Sequence, residues 1–151
     1  MAVLRDRPYG QFNFLVDLGT GTTDGPEAGF QECGALSMSV DVIEYRNGND
    51  KENNPRKLTG LSRVSDVTLK RGIMGLTNFW QWVSVTRADP THKRNVSIAL
   101  MDEVGNPVLK WRLINARPMK WTGPTLAAKG ASDAAMEELV LASEGIEMEE
   151  V

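Results

Sequence analysis

Leu36-Ser37-Met38-Ser39-Val40-Asp41-Val42 carries an apolar residue at every even position and a small or charged one at every odd position. A period of two is the signature of a strand with one dry and one wet face. The same period recurs on both sides. Phe12, Phe14, Val16 and Leu18 oppose Gln11, Asn13 and Asp17; a second short strand is expected around Phe30 to Cys33; Val67 and Leu69 oppose Asp66, Thr68 and Lys70 within Val64 to Ile73. Between the first two, the Gly, Thr, Asp and Pro of 19–29 read as a surface connection.

Farther along, Val96, Ile98 and Leu100, then Val108 to Ile114, flank Asp102-Glu-Val-Gly-Asn-Pro107. That segment has the turn residues of a hairpin. Pro118 limits the strand through Met119 and Trp121 to an edge or an irregular position, because proline cannot donate to a ladder. From Leu76 to Arg87 the apolar residues Leu76, Phe79, Trp80 and Val83 fall three and four apart, with Thr77 or Asn78 as cap, which predicts one substantial helix. Met136 to Ser143 fits a strand, with a helix also compatible, and 144–151 reads as an acidic, frayed tail. The pattern gives a mainly β, antiparallel fold with one helix packed on it.

With 151 residues the chain has room for one core, and 1–151 is read as a single domain. Apolar residues at 41% and charged residues at 25% match a soluble globular protein, not a disordered or membrane-spanning one. A net charge of −3 argues against general affinity for a phosphate backbone. Arg5, Asp6 and Arg7 interrupt any leader-like apolar run, so synthesis in the cytoplasm without a signal peptide is expected.

Little chemistry is concentrated anywhere. The sole cysteine, Cys33, rules out an internal disulfide and reads as a small buried apolar residue. With one histidine, His92, in a loop, a zinc site of ordinary ligand composition cannot be built. The carboxylates Glu137, Glu138, Glu144, Glu147, Glu149 and Glu150 form a charge run without a distinguishable acid and base. Lys51, Arg56, Lys57, Arg63, Lys70 and Arg71 are interleaved with Asp50, Glu52 and Asp66, which suits an alternating-sign contact better than nucleic acid. Trp80, Trp82, Trp111 and Trp121 read as core and interface anchors.

One motif points elsewhere. Asp17-Leu-Gly-Thr-Gly-Thr-Thr23 after an apolar strand resembles the first phosphate-binding hairpin of the actin, Hsp70 and sugar-kinase superfamily. That superfamily closes two large lobes with further motifs, for which this chain has neither the length nor the residues. A Gly-Thr surface turn is the favoured account, and a small nucleotide-binding enzyme remains the rival.

Residues 46–60, Arg-Asn-Gly-Asn-Asp-Lys-Glu-Asn-Asn-Pro-Arg-Lys-Leu-Thr-Gly, have scarcely an apolar anchor. Loops beyond about 12 to 15 residues are uncommon in compact domains. Ordering one costs about 1 to 2 kcal/mol of backbone entropy per residue. Either the segment is a mobile solvent loop, or a partner supplies the missing contacts.

Gly29-Phe-Gln-Glu-Cys-Gly-Ala-Leu36, Glu44-Tyr-Arg-Asn-Gly-Asn49, Lys57-Leu-Thr-Gly60, Thr68-Leu-Lys-Arg-Gly72, Trp80 to Trp82, Arg94-Asn-Val-Ser-Ile-Ala-Leu100, Asp102 to Pro107, Trp111-Arg-Leu-Ile-Asn-Ala-Arg-Pro118 and Glu137 to Gly145 occur in that order. Together they resemble the tail tube proteins of contractile phages and extracellular injection systems. Two departures are mild: Leu58-Thr-Gly60 stands for leucine-proline-glycine, and Arg117-Pro118 for aromatic-proline. The resemblance implies an antiparallel β sandwich or barrel of the tail-tube type, with one flanking α-helix and a long extended loop, similar to the haemolysin-coregulated tube protein of type VI secretion. It implies a non-enzymatic subunit without cofactor or metal, in stacked hexameric rings around a lumen. A baseplate-proximal tube initiator would look much the same.

The implied partners are further copies of itself, a sheath protein, baseplate or hub and tape-measure proteins, and DNA or effector cargo in the lumen. The 46–60 loop becomes the inter-ring contact, through Arg46, Asn47, Asn49, Asp50, Lys51, Glu52, Arg56 and Lys57. From alternation alone, Ser37, Ser39 and Asp41 are expected to face the lumen, because a conduit needs a hydrated wall.

Overall fold

The computed structural model describes residues 5–19, 29–34, 36–49, 51, 54–75, 77–130 and 134–150. Nine strands and one helix follow in the order β1 (Phe14–Asp17), β2 (Glu32–Gly34), β3 (Met38–Tyr45), β4 (Arg56–Val64), β5 (Val67–Gly72), α1 (Asn78–Ala88), β6 (Arg94–Met101), β7 (Pro107–Thr122), β8 (Met136–Ala142) and β9 (Gly145–Glu150). All pairings are antiparallel. Seven strands form one body in the order β1-β6-β7-β8-β5-β2, with β9 also on β7, while β3 and β4 pair only with each other.

The 16-residue β7 organises the body. Its first part pairs with β6 and, on the other side, with β9 over Leu109–Ile114; its second part pairs with β8 over Arg117–Thr122. Between them the chain bends: Asn115 has φ of 52°, and the register slips between Pro118 and Lys120. Pro118, which lacks a ladder donor, sits at that irregularity, as its sequence position requires. A strand that turns a corner by such a bulge lets two sheets face each other across one core. Val16, Val96, Ile98 and Leu113 line one wall, and Val67, Leu69, Leu139 and Leu141 the other.

The β6–β7 turn follows its sequence closely. One carboxylate oxygen of Asp102 accepts hydrogen bonds from the backbone N–H groups of Val104, Gly105 and Asn106 at 3.0, 2.8 and 2.8 Å. Arg5 donates to both oxygens of Glu103 at 3.0 and 2.8 Å, fastening the N-terminal segment to this turn.

Helix α1 buries Phe79 and Trp82, not the Trp80 of the expected stripe. Trp80 is half exposed and meets Trp121 edge-on at 5.3 Å, while Val83 packs against the core. The helix begins at Asn78, two residues after the expected start; Leu76 lies outside the described residues. Thr77 makes no side-chain cap bond, although its hydroxyl accepts one from the Gln81 amide at 3.1 Å.

A buried ion pair ties this helix to the sheet. Arg71 (2% exposed) donates to Glu137 (6% exposed) at 2.6 Å. Its other arm donates to Asn78 at the helix start, and its guanidinium lies over the Phe79 ring at 3.9 Å. Trp121, on β7, donates its indole N–H to the other Glu137 oxygen at 3.2 Å. Neither charge is the solvated one its sequence neighbourhood suggested.

Three further expectations change, and one alternative is decided. Strand β1 starts at Phe14, and Phe12, expected on the buried face, is exposed. Val64 ends β4 instead of opening β5, because Ser65 turns back and donates its N–H to the Ser37 carbonyl at 3.1 Å. The acidic 144–151 segment is not frayed over its described part: 145–150 form β9, with Glu147 and Glu149 reached by Arg112 at 2.7 and 3.8 Å. Met136–Ala142 resolves as a strand, its odd positions Glu137, Leu139 and Leu141 turned into the core.

Removing one charge of the buried pair strands the other. Glu137→Ala is expected to cost about 3 to 5 kcal/mol in urea denaturation, whereas Arg71→Met with Glu137→Leu is expected to recover most of that loss. The Arg5 hydrogen bonds hold the Glu103 carboxyl down at about 2, below its ordinary 4.5. A depressed carboxylate stabilises the fold fully above the unfolded value, and this contribution disappears as pH falls from 4.5 through 2. An NMR titration should find the Glu103 midpoint near 2 in the native chain and back toward 4.5 in Arg5→Gln.

Candidate assembly surface

Most residues of the β3–β4 hairpin are exposed. Its strands run over Met38–Tyr45 and Arg56–Val64, so the expected 46–60 loop is only partly a loop: 56–60 are strand, and the described residues of the connecting tip are 46–49, 51, 54 and 55. The cause is visible in retrospect. Lys57, Leu58 and Thr59 lie opposite Glu44, Ile43 and Val42, a pairing that a scan of one segment at a time cannot register. At its root the hairpin is clasped by the Ser37 and Ser65 hydroxyls, 2.7 Å apart, and β4 brushes β9.

Beyond that root it is exposed on both faces. Met38, Val40, Val42, Ile43, Tyr45, Leu58 and Leu61 are between 47% and 77% exposed. An apolar patch on the order of several hundred Å² or more marks a contact surface on a soluble chain. The edges tell the same story: β1, β2 and β9 each pair on one side only among the described residues, as do β3 and β4. Open edges are templates for another chain.

The hairpin has an internal irregularity. Val40 opposes Ser62 and Val42 opposes Thr59, so β4 spends one residue more than β3 in this interval. Gly60 sits there, and a Cβ on it would lie 3.2 Å from the Asp41 carbonyl oxygen, tighter than ordinary contact. Asp41 forms an ion pair with Arg63 at 3.2 Å.

Of the expected inter-ring residues, Arg56 and Lys57 lie on β4, and Arg46, Asn47, Asn49 and Lys51 lie in the tip, where the Tyr45 hydroxyl donates to the side-chain Oδ1 of Asn47. Asp50 and Glu52 fall outside the described residues. Ser39 and Asp41 lie on β3 and Ser37 immediately before it, with Ser37 engaged by Ser65. The sequence reading missed the apolar side chains of the hairpin as a surface: it treated the alternation of Leu36 to Val42 as a sign of burial, and only Leu36 packs against the core.

The phosphate-loop rival has little left. Gly19 has φ of 90°, its N–H is bound by the Asp17 side chain at 2.9 Å, and an added Cβ would lie 3.1 Å from the Arg94 Cβ. A close backbone crossing explains that glycine; 20–23 lie outside the described residues. Cys33 is half-buried, and burial pushes its thiol up to about 11, which makes it a poor nucleophile near neutrality. Among the described residues no group of three or more His, Cys, Asp or Glu is placed to hold a metal ion, and no helix is long and apolar enough to cross a membrane.

Comparison with known proteins converges on one family. Residues 10–147 match the family model of the T4-like virus tail tube protein gp19. The chain is similar, at 28% identity and a TM-score of 0.83 over 97% of its length and 94% of the other, to a chain in the cryo-EM structure of an extracellular contractile injection system, the PVC sheath-tube complex in its extended state. It is also similar to a chain of the anti-feeding prophage baseplate, with 26% identity and a TM-score of 0.82 over 97% and 98% of the two chains. Hcp1 from Flavobacterium johnsoniae shares the fold, with a TM-score of 0.54 and 12% identity over 89% and 93%. No curated protein sequence matches. An antiparallel body with one helix, open strand edges and a projecting hairpin is thus the tail-tube fold, and the chain belongs to the T4-like virus tail tube protein family, a structural subunit of the tube of contractile injection systems.

Proposed function

We propose that copies of this chain close into hexameric rings that stack into the inner tube of a contractile particle, and that the β3–β4 hairpin is the principal element joining them. The hairpin carries this reading: it holds seven exposed large apolar side chains that the subunit's own core does not use. Burying an apolar side chain is worth about 1.5 to 3 kcal/mol, so a repeated contact through several of them is enough to drive polymerisation. Free edges at β1, β2 and β9 allow neighbouring sheets to join.

In this tube the tip residues Arg46, Asn47, Asn49, Asp50, Lys51 and Glu52, with Arg56 and Lys57 on β4, make the inter-ring contact. Ser37, Ser39 and Asp41 line the lumen, where a polar wall lets cargo slide. The subunit performs no catalysis and takes no cofactor. A sheath encloses the tube, a baseplate starts it, a tape-measure protein sets its length, and DNA or effector protein passes through it. Similarity to a chain of a sheath-tube complex and to one of a baseplate supports the first two partners.

Negative-stain microscopy and sedimentation of the purified chain are expected to show rings or tubes, and a strictly monomeric species would overturn the assembly reading. Replacing 46–55 by Asn-Gly, a two-residue turn that suits the Tyr45–Arg56 pair, should leave the subunit's melting temperature within about 2 °C and abolish stacking. Cysteines at Ser37, Ser39 or Asp41 are expected to label quickly in dispersed subunits and slowly with a bulky thiol reagent in the tube. The half-buried Cys33 thiol, at about 11, gives a low background. Equal labelling in both forms removes the lumen assignment.

A further inference from the structure

The hairpin is apolar on opposite faces in its two halves. Cross-strand partners share a face, and successive residues alternate. Met38, Val40 and Val42 therefore share one face with Glu44, and their partners there are Val64, Ser62, Thr59 and Lys57. The other face holds Ser39, Asp41, Ile43 and Tyr45, with Arg63, Leu58 and Arg56 as partners. The space beside Gly60 confirms this sorting, because an added Cβ would meet both the Asp41 Cβ at 3.4 Å and the Ile43 Cδ1 at 3.3 Å.

Near the root, then, the first face is apolar and the second carries Ser39 and the Asp41–Arg63 ion pair, with the exposed Leu61 in the bulge between the two halves. Near the tip the order reverses: Glu44 and Lys57 face each other on the first face, and Ile43, Leu58 and Tyr45 form the apolar second. The switch is written into adjacent Val42 and Ile43, where the period of two slips by one residue. The additional residue in β4 absorbs the matching slip and keeps Leu58 opposite Ile43.

Resting on the tube reading above, we infer that the hairpin is held by two different copies of this chain, one covering Met38, Val40 and Val42 near the root and the other covering Ile43, Tyr45 and Leu58 near the tip. A single neighbour lying on one face of the ribbon would cover apolar side chains in one half and charged ones in the other. Charge favours further copies of this chain as occupants. In the sequence, 38–64 interleaves Arg46, Lys51, Arg56, Lys57 and Arg63 with Asp41, Glu44, Asp50 and Glu52. Each copy thus presents both signs to its neighbour, an arrangement that suits a head-to-tail contact between like chains.

The division is tested by placing a photo-activatable phenylalanine analogue at Val40 or at Leu58 in the full chain, irradiating the assembled material and sequencing the cross-linked peptides. Two non-overlapping sets of acceptor peptides, each from a different chain, are expected. Acceptors that coincide, or lie within the same chain, overturn the inference while leaving the tube reading standing; a native chain that forms no rings or tubes overturns both. Val40→Asp and Leu58→Asp provide the second arm. Both sites are exposed, so each variant should melt within about 2 °C of the native chain while yielding at least tenfold less pelletable polymer, with arrested species of different sedimentation. Unimpaired polymerisation by either variant also overturns the inference.

Discussion

One strand serves both walls of this molecule, and that constraint organises the rest. Strand β7 is long enough to pair with β6 and β9, bend at Asn115 to Pro118, and pair with β8. Because the walls share this strand, their separation and tilt are set by backbone, and the side chains between them only have to fill the space. The Arg71–Glu137 pair occupies the second wall near the helix and fixes α1 through Asn78 and Phe79. A buried pair of this kind is weak evidence for net stability, since desolvation offsets much of its attraction. Its visible effect is positional.

The hairpin is excluded from that arrangement. It leaves the body at Ser37, returns at Ser65 and contributes none of the buried hydrophobic cluster. A two-stranded ribbon is marginal alone in water. The body is therefore a finished object and the hairpin an unfinished one, which is the division of labour expected of a building block. Family membership and the likeness to a chain of an injection-system sheath-tube complex agree with it.

Much of this was legible in the chain. The period of two gave most strands, the Asp102 to Pro107 turn was readable residue by residue, and Pro118 announced its irregularity. Three features were not. Arg71 and Glu137 look like members of solvated charge runs, because sequence distance hides that they oppose each other across β5 and β8. The 144–151 segment looked like a tail because its glutamates mask an alternation whose partner, Arg112, lies on another strand. The hairpin was misread in part for a physical reason: alternation reports that one face prefers an apolar neighbour, but not whether that neighbour belongs to the same chain. As for the site, its place near 36–60 was readable, whereas the reversal at Val42 and Ile43 needed the register of β3 on β4.

Sequence separation along the ladders bears on how a subunit comes into being. In the body, Val16 meets Ile98 and Leu69 meets Leu139, pairings that wait for distant parts of the chain, whereas Tyr45 meets Arg56 at once. Long-range topologies fold slowly and local hairpins in about 1 to 10 μs. Contacts within the adhesive ribbon thus begin to close and reopen before the block that carries them is complete. The ribbon's interspersed Asp, Glu, Lys and Arg then act as gatekeepers, discouraging half-made subunits from sticking together until their bodies have closed.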